Sequence, residues 1–222
     1  MKIKGVLFDL DGTLVNTSDL IIKTFEHTIR SLLQKNPTQE EITRYFGLPL
    51  RECLRNFDET KVDELADFYR EYNLKNHDIL IKPFPKIEET IIKLQENGIR
   101  MAVVTSKKIP MAERGLKCFN LDKYFSGIIG CDECENHKPH PEPMRKGAEL
   151  INLSPEECIC VGDSPYDLQS GKSAGCLTAA VKWTYFDWEQ MLSLGRPDHV
   201  LIEMPDLIKV IDDENAKGRN HA

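Results

Sequence analysis

The chain has 222 residues, 41% hydrophobic and 29% charged, with 29 Lys and Arg against 36 Asp and Glu and a net charge of −7. It is long enough to bury a core without disulfide or metal staples, and suits one domain of roughly 150 residues plus a smaller insert. The acidic balance argues against nucleic acid or an anionic membrane as main partner, and an anionic substrate would need a local positive device such as a metal ion, a lysine or a helix N-terminus.

The N-terminal MKIKGVLFDLDG has a short apolar run followed by acids, unlike a signal peptide, and no stretch approaches the ~18 apolar residues of a membrane span. Residues 3–9, IKGVLFD, read as a buried parallel strand ending at an acid. The next strand signal comes only about 85 residues later, too far for a simple crossover. The pattern between is helical. Leu20/Ile21, Phe25, Ile29 and Leu32/Leu33 recur at i, i+4 spacing; Thr38 and Glu41 form a capping box; Val62, Leu65, Phe68, Tyr69 and Tyr72 make another stripe. The expectation is an inserted four-helix cap over residues 16–81, with Lys82-Pro83-Phe84-Pro85 as return linker. Gly47-Leu48-Pro49-Leu50-Arg51 joins two of its helices.

Ile87, Ile91 and Leu94 share one helix face that stops at Gly98. Strands follow at 100–106 (RMAVVTS), 126–132 (SGIIGCD) and 157–163 (ECICVGD), with weaker ones at 176–183 and 199–203. Ser154-Pro155-Glu156-Glu157 reads as a capped helix start. Strands alternating with helices predict an α/β fold, a Rossmann-like parallel sheet flanked by helices, built from residues 1–15 and 82–222. The tail from Asp212 is polar and expected to fray. Seven cysteines is an odd number, and Cys158 and Cys160 sit inside a strand, which fits reduced thiols of a cytoplasmic protein. Cys131 and Cys134 form a CxxC before His137, but a zinc site lacks its fourth ligand, so they read as loop residues leading into Lys138. The aromatics Trp183, Tyr185, Phe186 and Trp188 read as core packing and edge cover.

Open parallel sheets bind ligands beyond the carboxyl ends of their strands. There the first strand offers Asp9-Leu10-Asp11-Gly12-Thr13, the second Thr105-Ser106, the third a loop with Lys138, and the fourth Asp163 and Asp167. Carboxylates crowded at one rim need a cation, and hard oxygen ligands suit Mg²⁺. A cation there would let a carboxylate attack phosphate, with Asp11 as general acid and base. Lys138 and the Thr105 hydroxyl would hold the phosphoryl oxygens, and Gly12 would let the backbone approach closely. Taken singly, these residues have plainer readings: an Asx-capped turn for the DxDG segment, helix capping for Asp163 and Asp167, a strand-end hydroxyl for Thr105 and a surface lysine for Lys138.

FDLDGTL, VVTSK, HKPHPEP and VGDSPYD, in that order, resemble the four motifs of the haloacid dehalogenase-like hydrolase superfamily over nearly the whole chain. The branch they resemble most is that of phosphoglycolate phosphatases and Bacillus-type inorganic pyrophosphatases, although Asn16 stands where many phosphoglycolate phosphatases have Asp. The resemblance implies Asp9 as nucleophile and Asp11 as general acid/base. It implies Mg²⁺ on the Asp9 carboxylate, the Asp11 backbone carbonyl and Asp163, with Asp167 acting through water or by orienting neighbours. Thr105, Ser106, Lys138 and Gly12 would bind phosphate, and Arg51 on the cap loop would bear on specificity. The expected substrate is a small phosphorylated metabolite or pyrophosphate, handled by a monomer or weak dimer. A sugar phosphomutase and a non-catalytic phospho-metabolite sensor stay open as alternatives.

Overall fold

The computed structural model describes residues 2–219, with side chains described through residue 217. The chain begins with β1 (Gly5–Phe8) and a short β2 (Val15–Asn16), then runs through α1 (Ser18–Leu33), α2 (Gln39–Thr43), α3 (Leu50–Arg55) and α4 (Val62–Leu80). It returns through β3 (Lys82–Pro83) to α5 (Ile87–Glu96), β4 (Arg100–Val104), α6 (Ile109–Cys118), β5 (Ile128–Ile129) and α7 (Glu142–Leu150). β6 (Cys158–Gly162), α8 (Pro165–Ala174), β7 (Leu177–Val181), α9 (Trp188–Gln190), β8 (His199–Leu201) and α10 (Asp206–Arg219) complete it.

Six strands form one parallel sheet in the order β5-β4-β1-β6-β7-β8. β1 is central and buried on both faces, as its continuous apolar run requires. Val6 and Phe8 face a layer containing Ile91, Leu94 and Leu116. Leu7 faces the opposite layer, with Met144 and Ala148 of α7. This alternation within one strand places helices on both sides of the sheet.

The helices α1–α4 have their own apolar cluster, including Phe25, Ile29, Ile42, Leu54, Leu65 and Tyr69. The Phe25 and Tyr69 rings meet edge to face at 4.9 Å. The chain enters and leaves this helical insert on one antiparallel ribbon, Val15 opposite Pro83 and Asn16 opposite Lys82. Lys82 Nζ also reaches Asp19 Oδ2 at 2.7 Å. Elsewhere α4 rests on α6, where Arg114 Nε and Nη2 fork onto Asp78 at 2.9 Å each.

Two local expectations change. The capping box at Ser154 forms, but it starts a single 3₁₀ turn, Pro155–Glu157, because β6 begins at once. The tail does not fray at Asp212: α10 runs to Arg219, and Asn215 clamps the N-terminus. Its Oδ1 accepts from Ile3 N at 2.6 Å and its Nδ2 donates to Ile3 O at 3.1 Å. No described helix is long and apolar enough to cross a membrane.

Candidate active site

Parallel order puts the carboxyl ends of β1, β4 and β6 side by side, and the candidate residues follow those ends. Asp9 lies one residue past β1, Thr105 one past β4 and Asp163 one past β6. All three are buried. Lys138 comes from the loop before α7 and is also buried, 3% exposed. Its Nζ donates to Asp9 Oδ1 at 2.8 Å, Asp167 Oδ1 at 2.6 Å and the Val104 carbonyl at 2.7 Å. The ammonium therefore has all three of its protons engaged, which fixes it between two carboxylates.

Burial sets the electrostatics. It pushes the Asp9 carboxyl up to about 7, although Lys138 pulls the other way. The Asp163 carboxyl is raised well above its usual range, first by burial and then by the nearby Asp9 and Asp167 charges. Burial disfavours the Lys138 charge, but Asp167 and Asp9 outweigh it and hold the lysine protonated.

Oxygens of Asp9, Asp163 and Asp167 lie within 4.8 Å of one another. Asp167 has both oxygens occupied, Oδ1 by Lys138 and Oδ2 by Ser164 N at 3.0 Å and Ser164 Oγ at 2.6 Å. It is thus suited to orienting neighbours. Asp163 differs: among the described residues no hydrogen bond reaches its side chain. A buried carboxylate without a protein donor, beside a second carboxylate, fits a divalent cation. The backbone makes room at Gly12, whose φ is +83° and where a Cβ would fall 2.2 Å from Asp163 Oδ2. Asp9 and Asp163 are the carboxylates that could hold Mg²⁺.

The rim opens into a cavity of about 790 Å³ between the sheet and the insert, lined among others by Asp9, Asp11, Thr105, Lys107, Tyr45 and Arg51. Thr105 Oγ1 accepts from Lys107 N at 3.2 Å. Ser106 Oγ is turned to the insert, donating to the Gly47 carbonyl at 2.6 Å. Arg51 lines the same cavity, but its guanidinium pairs with Asp63 within the insert and its side chain is half exposed. Sequence reasoning missed Lys107, whose Nζ lies 2.6 Å from Asp11 Oδ1. Its place directly after Thr105-Ser106 was the available signal. Cys131 also lines the cavity, with its thiol pushed up by burial, while Cys134 is likewise raised and half-buried. Neither has the low pKa of a reactive thiolate.

The arrangement offers a buried carboxylate at a strand end, a second carboxylate two residues on, a fixed ammonium and a place for a hard cation. A family profile described as Haloacid dehalogenase-like hydrolase matches residues 6–181. A protein from Bacillus thuringiensis (strain Al Hakam) named pyrophosphatase PpaX is 39% identical over 215 residues, covering 97% of this chain and 99% of the relative. One from Caldanaerobacter subterraneus subsp. tengcongensis, given the same name provisionally, is 44% identical over 211 residues, covering 95% and 96%. Among solved structures, a haloacid dehalogenase-like family hydrolase from Streptococcus pneumoniae superposes with a TM-score of 0.83 at 24% identity, covering 94% of this chain and 98% of its own. On the strength of the profile and these full-length relatives, the chain belongs to the haloacid dehalogenase-like hydrolases.

Proposed function

We propose that the protein is a Mg²⁺-dependent phosphohydrolase that uses Asp9 as nucleophile on a small phosphorylated metabolite or inorganic pyrophosphate. The observation that carries this reading is the buried Lys138 bridging Asp9 and Asp167 beside the buried Asp163, whose side chain accepts no hydrogen bond among the described residues. Mg²⁺, held by the Asp9 and Asp163 carboxylates and the Asp11 carbonyl, would supply positive charge to the phosphoryl oxygens. An Asp9 oxygen attacks phosphorus and the bond to the leaving oxygen breaks, while Asp11 gives that oxygen its proton. Asp11, now a carboxylate, takes a proton from water as the water attacks the phosphorus of the aspartyl-phosphate. Phosphate leaves and Asp9 is regenerated. Lys138 restrains Asp9 and, with the Thr105 hydroxyl and the Gly12 backbone, binds the phosphoryl group.

The helical insert, about residues 16–81, acts as a lid that turns on the ribbon at Val15–Asn16 and Lys82–Pro83. Ser106 holds the lid loop through Gly47, and Arg51, on the cavity wall, bears on specificity. Pyrophosphate is the first substrate to try, since the Bacillus thuringiensis relative is named a pyrophosphatase. The test measures turnover of pyrophosphate, phosphoglycolate and p-nitrophenyl phosphate with Mg²⁺ or excess EDTA, for wild type, Asp9→Asn and Asp11→Asn. Wild type should turn over at least one substrate with Mg²⁺ alone, Asp9→Asn none, and Asp11→Asn should lose roughly 10²-fold or more in kcat. Near-wild-type kcat in Asp9→Asn, or full activity in EDTA, would reject the reading.

A further inference from the structure

Asp163 has no side-chain partner to aim it among the described residues, so its direction depends on its backbone. The peptide unit between Asp163 and Ser164 is held at both polar ends. Ser164 N, its donor end, is taken by Asp167 Oδ2 at 3.0 Å. The Asp163 carbonyl, its acceptor end, is taken by the hydroxyl of Thr184 at 2.5 Å. Thr184 lies three residues beyond β7, the strand next to β6, so it reaches Asp163 from the side. Its hydroxyl accepts in turn from Phe186 N at 2.9 Å, which fixes where its proton points. The preceding residue, Trp183, packs on Phe84 of the return linker with ring centroids 5.8 Å apart, and so anchors the loop.

A peptide pinned at both ends cannot rotate, and rotation of this one would swing the Asp163 carboxylate. Little such movement is tolerable, because Gly12 already lies against Asp163 Oδ2. We infer that Thr184 is a positioning residue that holds Asp163 aimed at a divalent cation. The inference rests on the cation reading of Asp163 given above. The hydroxyl bonds the Asp163 carbonyl and Phe186 N, so it acts through the backbone, as supporting hydrogen bonds around metal ligands commonly do.

The test is titration of the substrate-free protein with Mg²⁺ alone, followed by calorimetry and by the Mg²⁺-dependent rise in Tm. Four proteins are compared: wild type, Thr184→Val, Thr184→Ser and Asp163→Asn. Thr184→Val keeps the shape and removes the hydroxyl, and should raise the Kd for Mg²⁺ by about 10-fold or more. Thr184→Ser restores the donor and should bind like wild type. Weakened binding by Asp163→Asn together with wild-type binding by Thr184→Val would overturn the inference and leave the cation reading standing. Equal binding by wild type and Asp163→Asn would remove the cation reading, and this inference with it. A drop in metal-free Tm for Thr184→Val with unchanged Mg²⁺ affinity would show a merely structural hydroxyl and also overturn it.

Discussion

Replacing Gly47 by alanine tests whether the insert must rest on the sheet domain as the structure shows. Gly47 has φ +89°, and a Cβ there would lie 2.6 Å from Ser164 Oγ and 2.9 Å from Ser164 Cβ. Ser164 is fully buried and locked by Asp167, so it has nowhere to retreat. The left-handed backbone alone costs a non-glycine residue about 1–2 kcal/mol. The clash adds to this only while the loop is seated, because lifting the insert removes it. The backbone strain is present in both states, so only the clash tilts the equilibrium away from the seated state, by about 1–2 kcal/mol for a methyl forced into a packed site, and Gly47→Ala should lower kcat/KM by roughly 5–30-fold. Steady-state kinetics with Mg²⁺ and pyrophosphate reads the loss, and urea unfolding of the free protein reads its cost to the fold. An unchanged kcat/KM would refute the reasoning, since turnover would then not require Gly47 to sit against Ser164. A fall in unfolding midpoint large enough to account for the lost activity would refute it too.

Lys138→Met should lower stability at pH 7 by about 3–5 kcal/mol, because it strands the buried Asp9 and Asp167 without their counter-charge. Chemical denaturation measures this, and a loss below about 1 kcal/mol would contradict the ion-paired picture. A second expectation concerns the loop that delivers Lys138. Hydrogen bonds from the Asn136 side chain and the Glu135 amide hold the Glu142 carboxyl down at about 2. A depressed carboxyl stabilises above its unfolded value of about 4.5, and that contribution is lost as pH falls toward 2. Exchange of the Glu135 and Asn136 amides should accelerate as pH drops through this window, relative to its intrinsic rate, and be fast already at pH 7 in Glu142→Ala. Equal protection in that variant at pH 7 would exclude Glu142 as the clasp.

All six sheet strands were legible because each is a short apolar run ending at polar residues. β5 shrinks to Ile128–Ile129 at the sheet edge, where it has a partner on one side alone. The acids of the rim were legible for the same reason: a carboxylate placed directly after a buried strand stands out against its neighbours. Lys107 stands inside the quoted VVTSK, but nothing in the sequence ties it to Asp11, 96 positions away, until the fold brings the two together. The bond from Ser106 to Gly47 spans 59 positions and that from Thr184 to Asp163 spans 21, and neither leaves a periodic trace. Arg51 was placed on the cavity by its loop, but its pairing with Asp63 depends on how α3 and α4 pack. The α10 tail looked free because its polar residues hid a single asparagine that bonds the backbone of Ile3 from the far end of the chain.

The ribbon of Val15–Asn16 against Lys82–Pro83 brings the two junctions of the insert within one strand spacing, about 4.8 Å. A segment whose ends nearly touch can be lengthened, shortened or exchanged wholesale without pulling on the sheet that carries Asp9. On the reading of the insert as a lid, the architecture would work as a socket and a cartridge. Mutation and recombination can rewrite what the cavity admits while the strand ends, and the charges they hold, stay in register.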